Sequence, residues 1–257
     1  MGTYLTDEHI ERIKEELSLV YALPYANDLV GTAWEQILAG VKGGTWTDLR
    51  DNRPRPDFVV RVENREINYS VKTEGLRPTS ERRRAIDFLG THEDLIVARP
   101  KVDELLGEGE SIDALSADSL GAKVLEYYNE HIVRKFRWDV ISILLRIGSR
   151  EFIYWEESPP ALYNPADYWW KESGRATGSN RNINGYPQTV ARDSHTLPRA
   201  KFKWTSGGKQ FYVLYEIPPN ADTWDINPIQ LTLEEVRAAL REKLRAKKRI
   251  LGQESAT

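Results

Sequence analysis

The sequence predicts an α/β fold, a mixed central β-sheet flanked by helices, in a single domain over residues 1–257. Three observations predict it. Residues 55–74, RPDFVVRVENREINYSVKTE, alternate apolar and polar side chains on both sides of a polar turn, the pattern of a β-hairpin. Two stretches ahead of it space their apolar residues as amphipathic helices do. Beyond it, apolar runs at 94–98 and 140–147 have the length and composition of buried strands.

Residues 6–21 form the first predicted helix, capped by Thr6, with Asp7 and Glu8 at its positive end and Ile10, Ile13, Leu17 and Val20 as its stripe. The second helix is capped by Asn27 or Asp28, ends at Gly43-Gly44, and buries Val30, Trp34, Ile37, Leu38 and Val41. Glu35 lies at the edge of that stripe, either as a solvated helix residue or looking across the core toward the hairpin. In the hairpin, a turn centred between Asn64 and Arg65 pairs Val62 with Ile67, Val60 with Tyr69, Phe58 with Val71, and Asp57 with Lys72. One face is then wholly apolar, and the other gathers Asp57, Ser70 and Lys72 at one end. Opposed side chains sit about 5 Å apart at Cβ, which serves either a cross-strand salt bridge or a shared metal–phosphate centre.

After Lys72 the chain passes Arg77 and enters a predicted helix at 80–89 that opens with Glu81-Arg82-Arg83-Arg84. Arg77, Arg82, Arg83 and Arg84 are candidates for phosphate or guanine contacts, against the reading of a solvated charged turn. The strand at 94–98 is expected to close the hairpin's sheet. Residues 101–118 read as an acidic surface connection, and a long helix runs from Ser119 to about Phe136. Strands at 140–147 and 151–155 flank a turn at Gly148-Ser149. His9, His92, His131 and His195 show no metal-ligand spacing and read as structural or exposed.

Residues 171–203 hold seven Lys or Arg residues, including Arg175, Arg181 and Lys203, against Glu172 and Asp193. The segment lacks periodicity until Phe202 and reads as a long basic loop, either a DNA-contacting element that orders on binding or a surface insertion. The dense aromatics Tyr163, Tyr168, Trp169 and Trp170 read as packing. A hairpin at 200–217 follows, and a last helix starts at Thr232 with Glu235 completing a capping box. The chain has no cysteine, which excludes disulfides and thiol chemistry and permits a reducing cytoplasm. No signal peptide or membrane span is expected. A net charge of −3 means that attraction to DNA must come from local patches.

Pro56-Asp57, an apolar strand, a turn, and then Ser70-Val71-Lys72 resemble the PD-(D/E)XK nuclease signature of many type II restriction endonucleases. The chain departs from the pattern at Ser70, where the first acidic residue of (D/E)XK is expected. A Ser-X-Lys version occurs in a branch of these enzymes, in which a carboxylate from the following helix takes the missing role. The resemblance implies a restriction-endonuclease-like core at 27–100 and, at 138–231, an aromatic and basic-loop region for DNA recognition. It implies Mg²⁺-dependent cleavage of double-stranded DNA at a specific sequence by a homodimer. Asp57 and the Val71 carbonyl would hold metal, Lys72 would activate water and steady the transition state, and Glu35 would assist as the glutamate of the family's first helix. For the missing carboxylate the candidates are Glu35, Glu74, Glu81 and Asp87. The inward arc expected of the 80–89 helix selects Glu81. A structure-specific repair nuclease and a catalytically inactive DNA-binding protein on the same fold are the alternatives.

Overall fold

Two β-sheets share the chain, and the computed structural model describes residues 4–23, 31–46, 56–174 and 180–254. Helix α1 (Asp7–Ala22) starts at a reciprocal cap, in which Thr6 Oγ1 accepts the His9 N–H and His9 Nδ1 accepts the Thr6 N–H. It buries Ile13, Leu17 and Tyr21, while α2 (Gly31–Val41) buries Trp34, Leu38 and Val41. Both expected stripes are present; the expected caps Asn27 and Asp28, and Val30, lie outside the described residues.

The short β1 (Thr45–Trp46) precedes the hairpin, β2 (Phe58–Val62) and β3 (Arg65–Leu76). Its register differs from the expected one by two residues: Phe58 pairs with Tyr69, Val60 with Ile67, and Val62 with Arg65. The turn is the two-residue Glu63-Asn64, made possible by the positive φ of 53° at Glu63. A two-residue slip preserves which side chains share a face, because the period of a strand is two. Phe58, Tyr69 and Val71 are accordingly buried together, but Val62 at the hairpin tip is exposed. The slip does remove the expected opposition of Asp57 and Lys72.

Residues 80–84 are not helical. Only a 3₁₀ turn, Ala85–Phe88, forms where a helix over 80–89 was expected. Three successive arginines offer no apolar stripe to bury, and the Asp87 carboxylate caps the turn by accepting the Arg83 and Arg84 N–H groups. Then follow β4 (His92–Ala98), the single turn α3 (Val102–Leu105), and α4 (Ala117–Glu126), which continues into a π-helical segment, Tyr127–Arg134. The remaining elements are β5 (Val140–Ile147), β6 (Glu151–Glu157), β7 (Tyr168–Glu172), β8 (Asn182–Pro187), β9 (Phe202–Thr205), β10 (Gln210–Glu216), β11 (Asp222–Asp225) and α5 (Leu233–Glu254).

The first sheet has the order β1-β2-β3-β5-β6-β11 and is mixed, since β3 and β5 run parallel while its other pairs are antiparallel. Its strands face two cores by alternation. Tyr69, Val71, Leu144, Phe152 and Tyr154 pack with α1 and α2. Ile141, Ile143, Leu145, Ile153 and Trp155 point the other way, into a larger core shared with α4 and the second sheet. That second sheet, order β4-β10-β9-β8-β7, is antiparallel throughout. Strand β4 belongs to it, so residues 94–98 do not close the hairpin's sheet as expected. Pairing with β10 buries Leu95 and Val97 against Phe211 and Val213.

Nor is 171–203 one long loop. Strands β7 and β8 pair across it, and Trp170, Ile183 and Phe202 lie in the core. Periodicity was hidden there because Gly185, with Trp170 stacked where a Cβ would sit, interrupts the apolar alternation of β8. The aromatics Tyr163, Trp169 and Trp170 are buried, as expected. At the C-terminal end, Thr232 and Glu235 form the expected capping box, and Val236 is buried while Leu240 is exposed. Among the described residues no helix is long and apolar enough to cross a membrane.

Candidate active site

Strand β2 begins at Phe58, whereas β3 runs on to Leu76 beside β5. Among the described residues, therefore, the stretch of β3 from Val71 onward has no strand on its β2 side. Such an edge presents backbone groups that side chains can satisfy. Asp57 does so. Its N–H donates to the Tyr69 carbonyl at 2.9 Å, and its carboxylate accepts the Val71 N–H at 2.6 Å. A residue's N–H and C=O point to the same side in a strand, so the Val71 carbonyl faces this same open edge.

Lys72 is the next residue on β3, on the face opposite Val71. It is half-buried, and its Nζ lies 4.8 Å from the centre of the Trp138 ring. Burial pushes its pKa down, as does Arg99; Asp57 and Glu35 oppose the shift by favouring the ammonium. Glu35 reaches the same place from α2, whose Gly31 end lies against Thr73 of β3. Its carboxylate accepts a long bond, 3.4 Å, from Trp46 Nε1. Burial raises the Glu35 pKa, and the neighbouring Asp57 charge raises it further; the Trp46 bond and Lys72 act the other way. The charges of Asp57 and Lys72 are thus felt at Glu35, and those of Asp57 and Glu35 at Lys72. Glu35 and Lys72 line a cleft of about 490 Å³ with Val71, Glu74, Arg99, Phe136 and Trp138 among others, and Asp57 lies next to it through its bond to the Val71 N–H.

Ser70, two residues before Lys72 on the same face of β3, is fully buried, its Oγ without a hydrogen-bond partner among the described residues. It has neither the charge nor the exposure to serve as a ligand. Glu81 is exposed on the segment before the 3₁₀ turn and lines neither this cleft nor its neighbour. The inward-facing helix that singled it out is not there. Glu74, two residues past Lys72 on the same face, does line the cleft. Asp87 is exposed and occupied with its cap. No group of three or more His, Cys, Asp or Glu side chains is gathered tightly enough among the described residues to hold a metal alone.

No protein-family model, curated protein or solved structure matches the chain. Its chemistry must be read from its own residues.

The basic candidates divide sharply. Arg181 is committed to the fold: its guanidinium donates to the Ile112 and Leu115 carbonyls and pairs with Glu172. Lys203 pairs with Asp94. Arg82 lies over the Phe88 ring and 3.7 Å from Glu93, and Arg84 is 3.9 Å from Glu151. Arg77 and Arg83 are exposed, and Arg77 lines a second cleft beside the first. Arg175 lies outside the described residues. Sequence reasoning missed Arg99, Phe136 and Trp138. Arg99 follows a buried strand and the aromatics follow a helix, positions with no local mark of a shared cleft.

Proposed function

We propose that the chain is a Mg²⁺-dependent endonuclease that cuts double-stranded DNA at a specific sequence, as type II restriction endonucleases of the PD-(D/E)XK superfamily do. One observation carries the reading: Glu35 and Lys72 line one cleft, and Asp57 holds the N–H of Val71, the residue beside Lys72 in that lining. The mixed sheet flanked by helices is compatible with it.

The donor set fits Mg²⁺, which binds through one or two carboxylates and completes its shell with water and phosphate oxygens. Asp57 and Glu35 would supply the carboxylates and Val71 its carbonyl. Among the described residues each carboxylate has a single hydrogen-bond donor, which leaves most of its lone-pair capacity. Mg²⁺, when bound, supplies Lewis acidity toward water and phosphate oxygens. The Val71 N–H fixes the orientation of Asp57. The lowered pKa of Lys72 favours its neutral amine, which would take a proton from the attacking water; the ammonium so formed donates to a non-bridging oxygen of the scissile phosphate. Water oxygen bonds to phosphorus as its proton passes to the Lys72 amine, the bond from phosphorus to the leaving sugar oxygen breaks, and that oxygen takes up a proton from solvent water.

A homodimer would match a symmetric site. Ser70, in place of a carboxylate, favours one competing reading, an inactive DNA-binding protein. A time course of supercoiled plasmid with Mg²⁺ separates the two. Linear product formed by the natural chain and abolished in Lys72→Ala supports the nuclease; binding without cutting selects the alternative.

A further inference from the structure

The second sheet has one face in the core and one face outward, and the outward face is polar. Cross-strand pairing sets Ile96, Tyr212, Lys203, Asn184 and Lys171 in one row across all five strands, with Thr205 beside Asn182 and Gln210 in the next. Four strand spacings make the row about 19 Å long, the rise of about five or six base pairs.

This face is continuous with the Lys72 cleft. A second cleft, about 410 Å³ and lined by Arg77, Arg82 and Tyr212, shares Glu74 and Ile96 with the first. A third, also about 410 Å³, shares Asp94 and Tyr212 with the second and is lined by Asn182, Asn184, Lys203 and Thr205. The result is one groove from Glu35 to the far strands of the second sheet.

Charge within the groove favours an anionic occupant. Glu93 and Asp94 are held by Arg82, Arg199 and Lys203. Among the described residues Lys72, Arg77 and Arg99 in the groove and Lys171 at the end of the row have no carboxylate within salt-bridge distance, against Glu35 and Glu74 as acids without a cation partner. A single strand would need aromatic faces for its bases. Trp169 and Tyr186, on this same face, are buried beneath Val190 and Leu197, and Arg192 lies over Trp169. On this face Tyr212 alone is half-exposed, while the half-exposed Phe136 and Trp138 lie in the Lys72 cleft, Trp138 under the Lys72 Nζ. Amides and hydroxyls predominate, groups suited to sugar, phosphate and base edges of a paired helix.

We infer that the outward face of the second sheet is a binding surface for double-stranded DNA. Asn182, Asn184, Thr205 and Tyr212 are its polar contacts, and Arg77, Arg99 and Lys171 its phosphate contacts. The inference rests on the endonuclease reading and extends it from the cleft to the flanking duplex.

The test is fluorescence anisotropy of a short labelled duplex, and of its single strand, with the cleavage-impaired Lys72→Ala chain in EDTA. Adding Asn182→Ala with Asn184→Ala is expected to weaken duplex binding by on the order of tenfold or more. Adding Lys171→Ala, at an exposed position that any fold tolerates, is expected to lower the salt slope by about one. Parental affinity and slope in both variants would overturn the surface while leaving the nuclease standing, as would equal affinity for the single strand. If the parent binds no duplex and the natural chain cuts no plasmid, the endonuclease reading fails and takes the surface with it.

Discussion

Asp57 has two jobs that two substitutions can separate. Its carboxylate accepts the Val71 N–H at 2.6 Å in a half-buried setting, closing the edge of β3 where β2 has ended. A hydrogen bond to a charged group contributes about 1.5–3 kcal/mol. Asp57→Ala removes the acceptor and leaves the Val71 N–H without it. At about 2–4 °C per kcal/mol for a chain of this size, the melting temperature should fall by about 3–12 °C. Asp57→Asn keeps a carbonyl oxygen in place of the carboxylate, so the bond survives in neutral form at about 0.5–1.5 kcal/mol and the loss is roughly halved. For cleavage the order disappears, because an amide lacks the anionic charge a hard dication requires. Both variants should therefore be inactive at a temperature where both are folded. Removing the Asp57 charge should also lower the Glu35 pKa, one of whose causes is that charge. Thermal melts in EDTA and plasmid cleavage in Mg²⁺ give the two readouts. An Asp57→Ala chain that melts with the natural protein would refute the edge-closing role, and an Asp57→Asn chain that cuts at the natural rate would refute the metal role.

Lys72→Ala should lose cleavage by a hundredfold or more, on the order of a general acid–base contribution, while its duplex affinity in EDTA stays close to natural; retained cleavage would remove Lys72 from the chemistry. Burial raises the Glu35 pKa, so the folded chain keeps a proton that the unfolded chain has released. Stability is then fully present at acid pH and is lost as pH climbs from the usual carboxylate range through the raised value. Glu35→Gln should accordingly melt above the natural chain at neutral pH in EDTA, with the gap closing on acidification; a lower melting point at neutral pH would contradict it. Glu74→Ala should raise the Mg²⁺ concentration needed for cleavage, and Glu81→Ala should leave it unchanged, because Glu74 lines the Lys72 cleft and Glu81 does not; the opposite order in a Mg²⁺ titration would restore Glu81. Arg181→Ala should cost about 1–3 kcal/mol in a denaturant melt, since it strands the Ile112 and Leu115 carbonyls; an unchanged midpoint with weakened DNA binding would mean that Arg181 serves the ligand instead.

What the sequence disclosed and what it withheld follow from the range of each interaction. The caps at Thr6 and Thr232, the stripes of α1 and α2, and the strands β5, β6 and β10 are set by residues within a few positions of one another. Face assignment in the hairpin was legible because a period of two survives the two-residue slip. The pairing of Asp57 was not, because it depends on whether the turn spans two residues or four, and Glu63 gives no glycine-like signal for its positive φ. A helix over 80–89 would turn Glu81 inward, but the Asp87 cap and the run of arginines give only a 3₁₀ turn, and Glu81 stays exposed. Strand β4 was legible as a strand but not as a member of the second sheet, since its partner β10 lies more than a hundred residues away. The closeness of Glu35 to Lys72 was expected from the edge of a helical stripe. Arg99, Phe136 and Trp138 reach the cleft only through the crossover that joins β3 to β5.

Digestion of a restriction-mapped plasmid by the purified chain, with Mg²⁺ and with EDTA, tests the central claim most directly. The account predicts discrete fragments of reproducible length in Mg²⁺, none in EDTA, and none from Lys72→Ala in either. Intact plasmid in Mg²⁺, under conditions where the chain is folded, would contradict it.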